Sequence, residues 1–260
     1  MKVLSDSFSE DMVEIYDRFF LGEDKCQTEV DYIMQIFGQR IPDKHVLLDV
    51  GCGTGAYSEF FSPSFDIVIS VDRSADMISF AREEHNKDNI EYLCKDAGCE
   101  EQYGSQKGDA AIALAHVIGY QLTNVAVMSF LKTINRNLYD NGVFLFSFYH
   151  QPALFLNKLE PRHIKKKVDS TEIIRISNAK LLPDENCLAL DYYYVLSHDD
   201  RTRAFEIHEK MRYFSKYEVE LFLTQTGFEV LSFFEYGGKN ELTTDHWNGG
   251  CLARKVESYI

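Results

Sequence analysis

A chain of 260 residues, 45% hydrophobic and 26% charged, is long enough to bury one sizeable core. Its formal net charge of -14 argues against a nucleic-acid binder, because phosphate backbones are gripped by clustered Lys and Arg. No run of about 18 apolar residues exists and the amino terminus turns acidic at once, so neither a membrane span nor a signal peptide is expected and a cytoplasmic location is.

In chain order, Ser7 and Glu10 make a capping-box pattern for a first helix. Met12, Val13, Tyr16, Phe19 and Phe20 fall on one stripe of it. A second helix runs roughly from Thr28 to Phe37, stopped by Gly38, with Pro42 ending the region. From residue 46 strands and helices alternate. Val46–Val50, Ile67–Val71, Ile90–Cys94, Ala110–Ala115 and Val143–Phe146 read as strands, and Asp140-Asn141-Gly142 as the turn before the last. Ser74 is placed to cap a helix carrying Met77, Ile78 and Ala81, and Asn124–Leu138 reads as another helix. Continuous apolar strands alternating with helices predict an α/β, Rossmann-like sheet covered on both faces, seven-stranded and mostly parallel.

Residues 151–213 break this rhythm. Glu172–Ile176, Leu188–Leu196 and Arg203–Tyr213 look like three strands of an antiparallel β insertion, with turns at Pro183–Asn186 and His198–Asp200. The basic run Arg162–Lys167 reads as a solvated face, with steering of an anionic substrate as its functional alternative. Ser215 and Glu218 repeat the capping box before a helix that Gly227 stops. Phe228–Phe234 and Cys251–Val256 then close the sheet. The expected organisation is therefore 1–150 for the leading helices and nucleotide-binding core, 151–213 for the insertion, and 214–260 for completion of the sheet. The insertion would be a lid or a subunit contact, the latter implying a homodimer. The six cysteines form no CxxC pair, and Cys94 with Cys99 lacks partner ligands, so reduced structural thiols and no metal are expected.

In doubly wound sheets, ligands sit at the carboxyl ends of the strands. Asp49 with its glycines, Asp72, Asp96 and His116 all fall there. The loop Asp49-Val50-Gly51-Cys52-Gly53-Thr54-Gly55-Ala56 lacks the GxxxxGK[ST] phosphate-loop pattern. It does fit a loose dinucleotide fingerprint, with Asp72 where a ribose-binding acid belongs, so a nicotinamide oxidoreductase competes. Asp49 beside the loop would repel a pyrophosphate but suits an ammonium group. A nucleoside carrying an amino acid and no phosphate, S-adenosylmethionine, fits that charge pattern.

Residues 46–55 resemble the first motif of class I S-adenosylmethionine-dependent methyltransferases. Val71-Asp72-Arg73-Ser74-Ala75-Asp76-Met77, continued by Ala81-Arg82, resembles their second-strand motif, and Asp96-Ala97 their adenine-side acid and small residue. The resemblance implies a pocket of Asp49, Gly51, Cys52, Gly53, Gly55, Asp72, Arg73, Met77, Asp96, Ala97 and Ala115, with S-adenosylhomocysteine as product. Asp49 would take the ammonium group, Asp72 the ribose hydroxyls and Asp96 the adenine amine. Met77 would pack on the ring.

Tyr16-Asp17, Ile118-Gly119-Tyr120 and Met211-Arg212-Tyr213-Phe214 further resemble small-molecule N-methyltransferases that dimethylate nucleotide-linked amino sugars. Ser147–Pro152 lacks their tryptophan-rich, acid-containing pattern, and Cys26 stands near where an aromatic residue is expected. Tyr16, His116, Tyr120 and His150 are the candidates to accept a proton or line the acceptor site. The alternatives are O-methylation of a small metabolite and a cofactor-binding regulator without turnover.

Overall fold

The protein is seen in a computed structural model that describes residues 2–3, 10–41, 45–99, 101–199, 201–238 and 240–257. Ser7 of the first capping box, Pro42 and Asp200 lie outside the described residues. The elements in chain order are β1 (Lys2–Val3), α1 (Glu10–Phe20), α2 (Glu23–Phe37), β2 (Val46–Val50), α3 (Ala56–Phe61), β3 (Ile67–Asp72), α4 (Ala75–Glu84) and β4 (Ile90–Cys94). Next come β5 (Gly108–Ala113), α5 (Asn124–Asn137), β6 (Leu138–His150), α6 (Gln151–Leu156), β7 (Arg162–Val168), β8 (Thr171–Leu182), β9 (Cys187–His198) and β10 (Arg201–Phe214). α7 (Lys216–Gln225), β11 (Phe228–Glu235) and β12 (Asn248–Lys255) complete the chain.

The core sheet runs β4-β3-β2-β5-β6-β12-β11. The first five strands are parallel neighbours, and β12 is antiparallel to both β6 and β11. These are the seven mostly parallel strands expected. β2 is buried along its whole length because both faces are covered. Val46, Leu48 and Val50 face a cluster with Phe130 and Ile134 of α5 and Val219 and Leu223 of α7. Leu47 faces the opposite cluster, with Val30 and Ile33 of α2 and Phe61 of α3.

Helix ends follow the local chemistry. The Ser74 hydroxyl accepts from the Met77 N–H at 3.2 Å and caps α4. Ser215 accepts from the Glu218 N–H at 3.2 Å, but the Glu218 carboxylate turns to Arg212 at 2.5 Å instead of closing the box. The second helix begins at Glu23, earlier than its apolar stripe alone suggests, with Glu23 and Asp24 in its first turn.

Among the described residues the insertion holds four strands, not three. β10, β9, β8 and β7 pair antiparallel in that order, and the tip of β10 joins the core at Tyr213 and Phe214 opposite Tyr149 and His150 of β6. The added strand, β7, is the basic run read as a solvated face. Lys and Arg at successive positions hide the two-residue period, and an edge strand rich in Lys is a common defence against edge-to-edge pairing. α1 lies across this sheet, packing Met12, Ile15 and Phe19 on Ile173, Tyr194, Leu196, Phe205 and Ile207.

Candidate functional site

The chain leaves β2 by a turn in which Gly51 has φ of +77° and Gly53 of +55°, a region disfavoured for residues with a Cβ. The Gly51 and Cys52 N–H groups donate to the Val71 carbonyl at 2.7 and 3.0 Å, binding the loop to β3. A Cβ on Gly51 would come within 2.5 Å of Val117, whereas one on Gly53 would meet nothing within 4 Å. That open space is a cavity of about 250 Å³ lined by Gly51, Gly53, Asp72, Arg73, Met77, Lys95, Asp96, Ala97, Ala115 and Val117 on one side. Its other side is a wall of Met12, Tyr16, Tyr120, Gln121, Tyr149, Arg175, Tyr192, Tyr194, Glu209 and Met211.

Asp72, at the end of β3, is 7% exposed. Its Oδ2 accepts from the Gly53 N–H at 3.0 Å and its Oδ1 from the Ser74 N–H at 2.9 Å. Burial raises its pKa, and those backbone donors oppose the rise. A carboxylate has about four acceptor positions, so capacity remains for ribose hydroxyls. Asp96 closes a tight turn by accepting from the Gly98 N–H at 2.7 Å, and the Ala97 carbonyl accepts from the Tyr103 hydroxyl at 2.5 Å. The glycine loop, the two-pronged carboxylate of Asp72 and the Asp96–Ala97 turn, all lining one cavity, fit S-adenosylmethionine.

Other expected pocket residues sit elsewhere. The Asp49 carboxylate is buried beneath the loop, accepts from the Ser58 hydroxyl at 2.6 Å, and is not part of the cavity wall. Burial first, then Asp72, pushes its pKa up to about 7, against the lowering effect of Ser58. From that position Asp49 supports the loop from below, the alternative to taking a ligand ammonium directly or through water. Cys52 packs with Ile78, Ala81 and Tyr92, and Gly55 lies under the Tyr92 hydroxyl, so both build the loop without lining the cavity.

Of the four candidates on the acceptor side, Tyr16 and Tyr120 line the cavity. Burial first, then nearby carboxylates, raises both hydroxyls above the ordinary tyrosine range. His116 follows Ala115, and both are left-handed, at φ of +63° and +49°, a strained pair at the ligand edge of the sheet. The His116 ring lies flat on Tyr149, with centroids 4.1 Å apart at 3°, and its Nε2 is 3.1 Å from the Asn248 amide oxygen. Burial lowers its pKa to about 4 despite the Asn248 contact, so the ring is neutral at neutral pH. It stands behind Tyr149, and Tyr149 faces the cavity. His150 is 2% exposed, bonds the His246 carbonyl through Nδ1 at 3.2 Å and packs edge-on to Phe148. It is not in the wall, because β6 alternates and position 150 points away from the chamber that Tyr149 faces.

Sequence reasoning missed Tyr149, Arg175 and Glu209. Each had a signal. On the inward row of β10, Glu209 interrupts Phe205, Ile207, Met211 and Tyr213; on β8, Arg175 follows Ile173 two positions on. A charged residue at an inward position of a half-buried strand asks for a partner or a ligand.

The strand order is that of the class I S-adenosylmethionine-dependent methyltransferase fold. Residues 47–142 in particular match the family model described as a methyltransferase domain. Over 228 residues the chain is 22% identical to the dTDP-3-amino-3,4,6-trideoxy-alpha-D-glucopyranose N,N-dimethyltransferase of Streptomyces venezuelae, covering 85% of this chain and 91% of that relative. The solved structure of Streptomyces venezuelae DesVI is similar in fold, with a TM-score of 0.81 at 22% identity over 94% of this chain and 98% of that one. S-adenosylmethionine-bound CalS10, an amino pentose methyltransferase from Micromonospora echinaspora, gives 0.79 at 17% identity over 93% and 97% of the two chains.

Proposed function

We propose that the chain transfers a methyl group from S-adenosylmethionine to the nitrogen of a small amine, best an amino sugar linked to a nucleotide. The observation that carries this is one shared cavity: a glycine and carboxylate cradle on one side, and a chamber of five tyrosines with one carboxylate on the other. The names of the similar dimethyltransferases support the acceptor class. The antiparallel sheet then serves as a lid, since its inner face is the acceptor wall. Six unpaired cysteines support a reducing, cytoplasmic setting.

The donor, when bound, supplies an electrophilic methyl carbon. The chain's own work is alignment and exclusion of water. Gly51 and Gly53 let the backbone come close, and Asp72 fixes the ribose. Tyr16 and Tyr120 narrow the passage between the two halves. Held by Asp72 and the glycine loop, the donor would supply the methyl carbon, and the amine would have to give its proton to solvent before its lone pair could be used. The burial-raised hydroxyls around it stay protonated and act as donors or acceptors of hydrogen bonds, not as bases.

Ligand-dependent thermal shift tests the cradle. Stabilisation by S-adenosylmethionine or S-adenosylhomocysteine, and none by NAD or NADP, is expected. The opposite ranking would place a dinucleotide here and remove the basis for methyl transfer.

A further inference from the structure

Over residues 173–179, 188–196 and 205–213, the inner face of the antiparallel sheet carries charge only where it meets the cavity. Its rows are Ile173, Arg175, Ser177 and Ala179 on β8; Leu188, Leu190, Tyr192, Tyr194 and Leu196 on β9; and Phe205, Ile207, Glu209, Met211 and Tyr213 on β10. Two opposite charges stand in that face, and both line the cavity.

Their surroundings differ. Glu209 accepts from the Tyr120 hydroxyl at 3.1 Å, and Tyr120 lies under the Arg73 guanidinium, 5.6 Å from the ring centre. Arg73 directly follows the ribose shelf, so Glu209 is at the donor end of the chamber. Arg175 lies over Phe20 of α1 at 4.3 Å and over Tyr192 at 5.6 Å, which fixes its plane, and its buried Nε has no hydrogen-bond partner. It is at the far end. Glu209 is level with Leu190 of β9 and Arg175 with Tyr194, four residues along the strand and on opposite sides of it. At ~3.3 Å per residue that separates them by roughly 13 Å along the strand, with Tyr192 between.

We propose that Glu209 and Arg175 are the two specificity-determining poles of the acceptor site. Glu209 receives the amine that is to be methylated, and Arg175 receives a phosphate group carried by the same molecule. The tyrosines between them hold the ring that joins the two. A guanidinium held flat with an open N–H is shaped for a phosphate oxygen. A carboxylate beside the donor draws in the cationic form of an amine and keeps its nitrogen pointed at the transferable carbon. This deepens the amine reading above and rests on it for the identity of the reaction, but the binding arms below do not.

The test measures two things on the full chain with S-adenosylhomocysteine bound: calorimetric affinity for an amino sugar linked to a nucleoside diphosphate, and for its 1-phosphate and free forms. Wild type should bind the phosphorylated forms at least ten-fold tighter than the free sugar. Arg175→Met should erase that preference while S-adenosylhomocysteine affinity stays unchanged. Glu209→Gln should weaken all three forms and shift the pH dependence of binding, while the deamino analogue binds both proteins alike. Equal affinities in wild type and both variants, or a wild type blind to the phosphate, would overturn the assignment. If the site behaves as described but no methyl group moves in turnover assays, the two poles stand and the methyl-transfer reading alone falls.

Discussion

Oδ2 of Asp72 accepts the Gly53 N–H at 3.0 Å, so the carboxylate on β3 and the glycine loop after β2 hold one another in place. The same carboxylate lines the cavity, so its loss removes a loop support together with the ribose contact proposed for it. Hydrogen bonds to a charged group are worth about 1.5–3 kcal/mol each. Asp72→Ala should therefore weaken S-adenosylhomocysteine by roughly ten- to a hundred-fold or more in calorimetry, with Asp72→Asn in between. Near-native affinity in Asp72→Ala would mean that the ribose lies elsewhere.

Asp49 should behave differently. Its carboxylate serves Ser58 inside the fold and does not line the cavity. Asp49→Asn keeps the shape and can still accept the Ser58 hydroxyl. Donor affinity should fall only a few-fold, far less than in Asp72→Ala. A loss as large as that of Asp72→Ala would show that Asp49 takes the ligand ammonium, directly or through water.

Gly51 carries a positive φ and faces Val117, with a built Cβ at 2.5 Å. Gly51→Ala should cost about 1–2 kcal/mol from backbone strain alone, and more from the overlap. Melting should drop by several degrees, at roughly 2–4 °C per kcal/mol for a chain of this size. Adding Val117→Ala should recover the steric part and leave the backbone part. Full recovery, or none, would show that only one of the two causes operates.

His85 ties α1 to the core. Its Nε2 is 3.0 Å from Asp17 and its Nδ1 is 2.6 Å from Glu59, which Lys87 also pairs at 2.7 Å. Burial lowers the His85 pKa, but the two carboxylates outweigh it and the net shift is upward. A raised histidine pKa gives stability that is full below its unfolded value of about 6.5 and is lost as pH rises through the folded value. Wild type should thus lose melting temperature over that interval, and His85→Gln should show a flatter profile. Identical profiles would show that the bridge contributes nothing.

His116, pulled down to about 4 behind Tyr149, has no proton to lose near neutrality. His116→Asn should lower turnover by loosening Tyr149, without moving the neutral limb of the kcat/KM profile. A vanished neutral limb would make the imidazole the base.

The core sheet was legible because its strands are buried on both faces and read as unbroken apolar runs, ended by Gly51, Asp72 and Asp96. The donor cradle was legible for the same reason, since it hangs on those strand ends. The acceptor wall was harder. β7 hides behind consecutive Lys residues. Glu209 and Arg175 are single charges in alternating strands, and they acquire meaning only once β8, β9 and β10 are in register. For Asp49 the sequence shows a carboxylate beside a loop but not that Ser58, nine residues later, bonds it beneath the loop. His150 and Tyr149 are neighbours, and only the strand's parity says which one faces the cavity.

The most direct measurement is a single-turnover reaction with methyl-labelled S-adenosylmethionine and a nucleotide-linked amino sugar, with the product's labelled position read by NMR. The label should appear on the sugar nitrogen, with stoichiometric S-adenosylhomocysteine. Label on a hydroxyl oxygen, or donor bound without any transfer across amine and hydroxyl acceptors, would contradict the account.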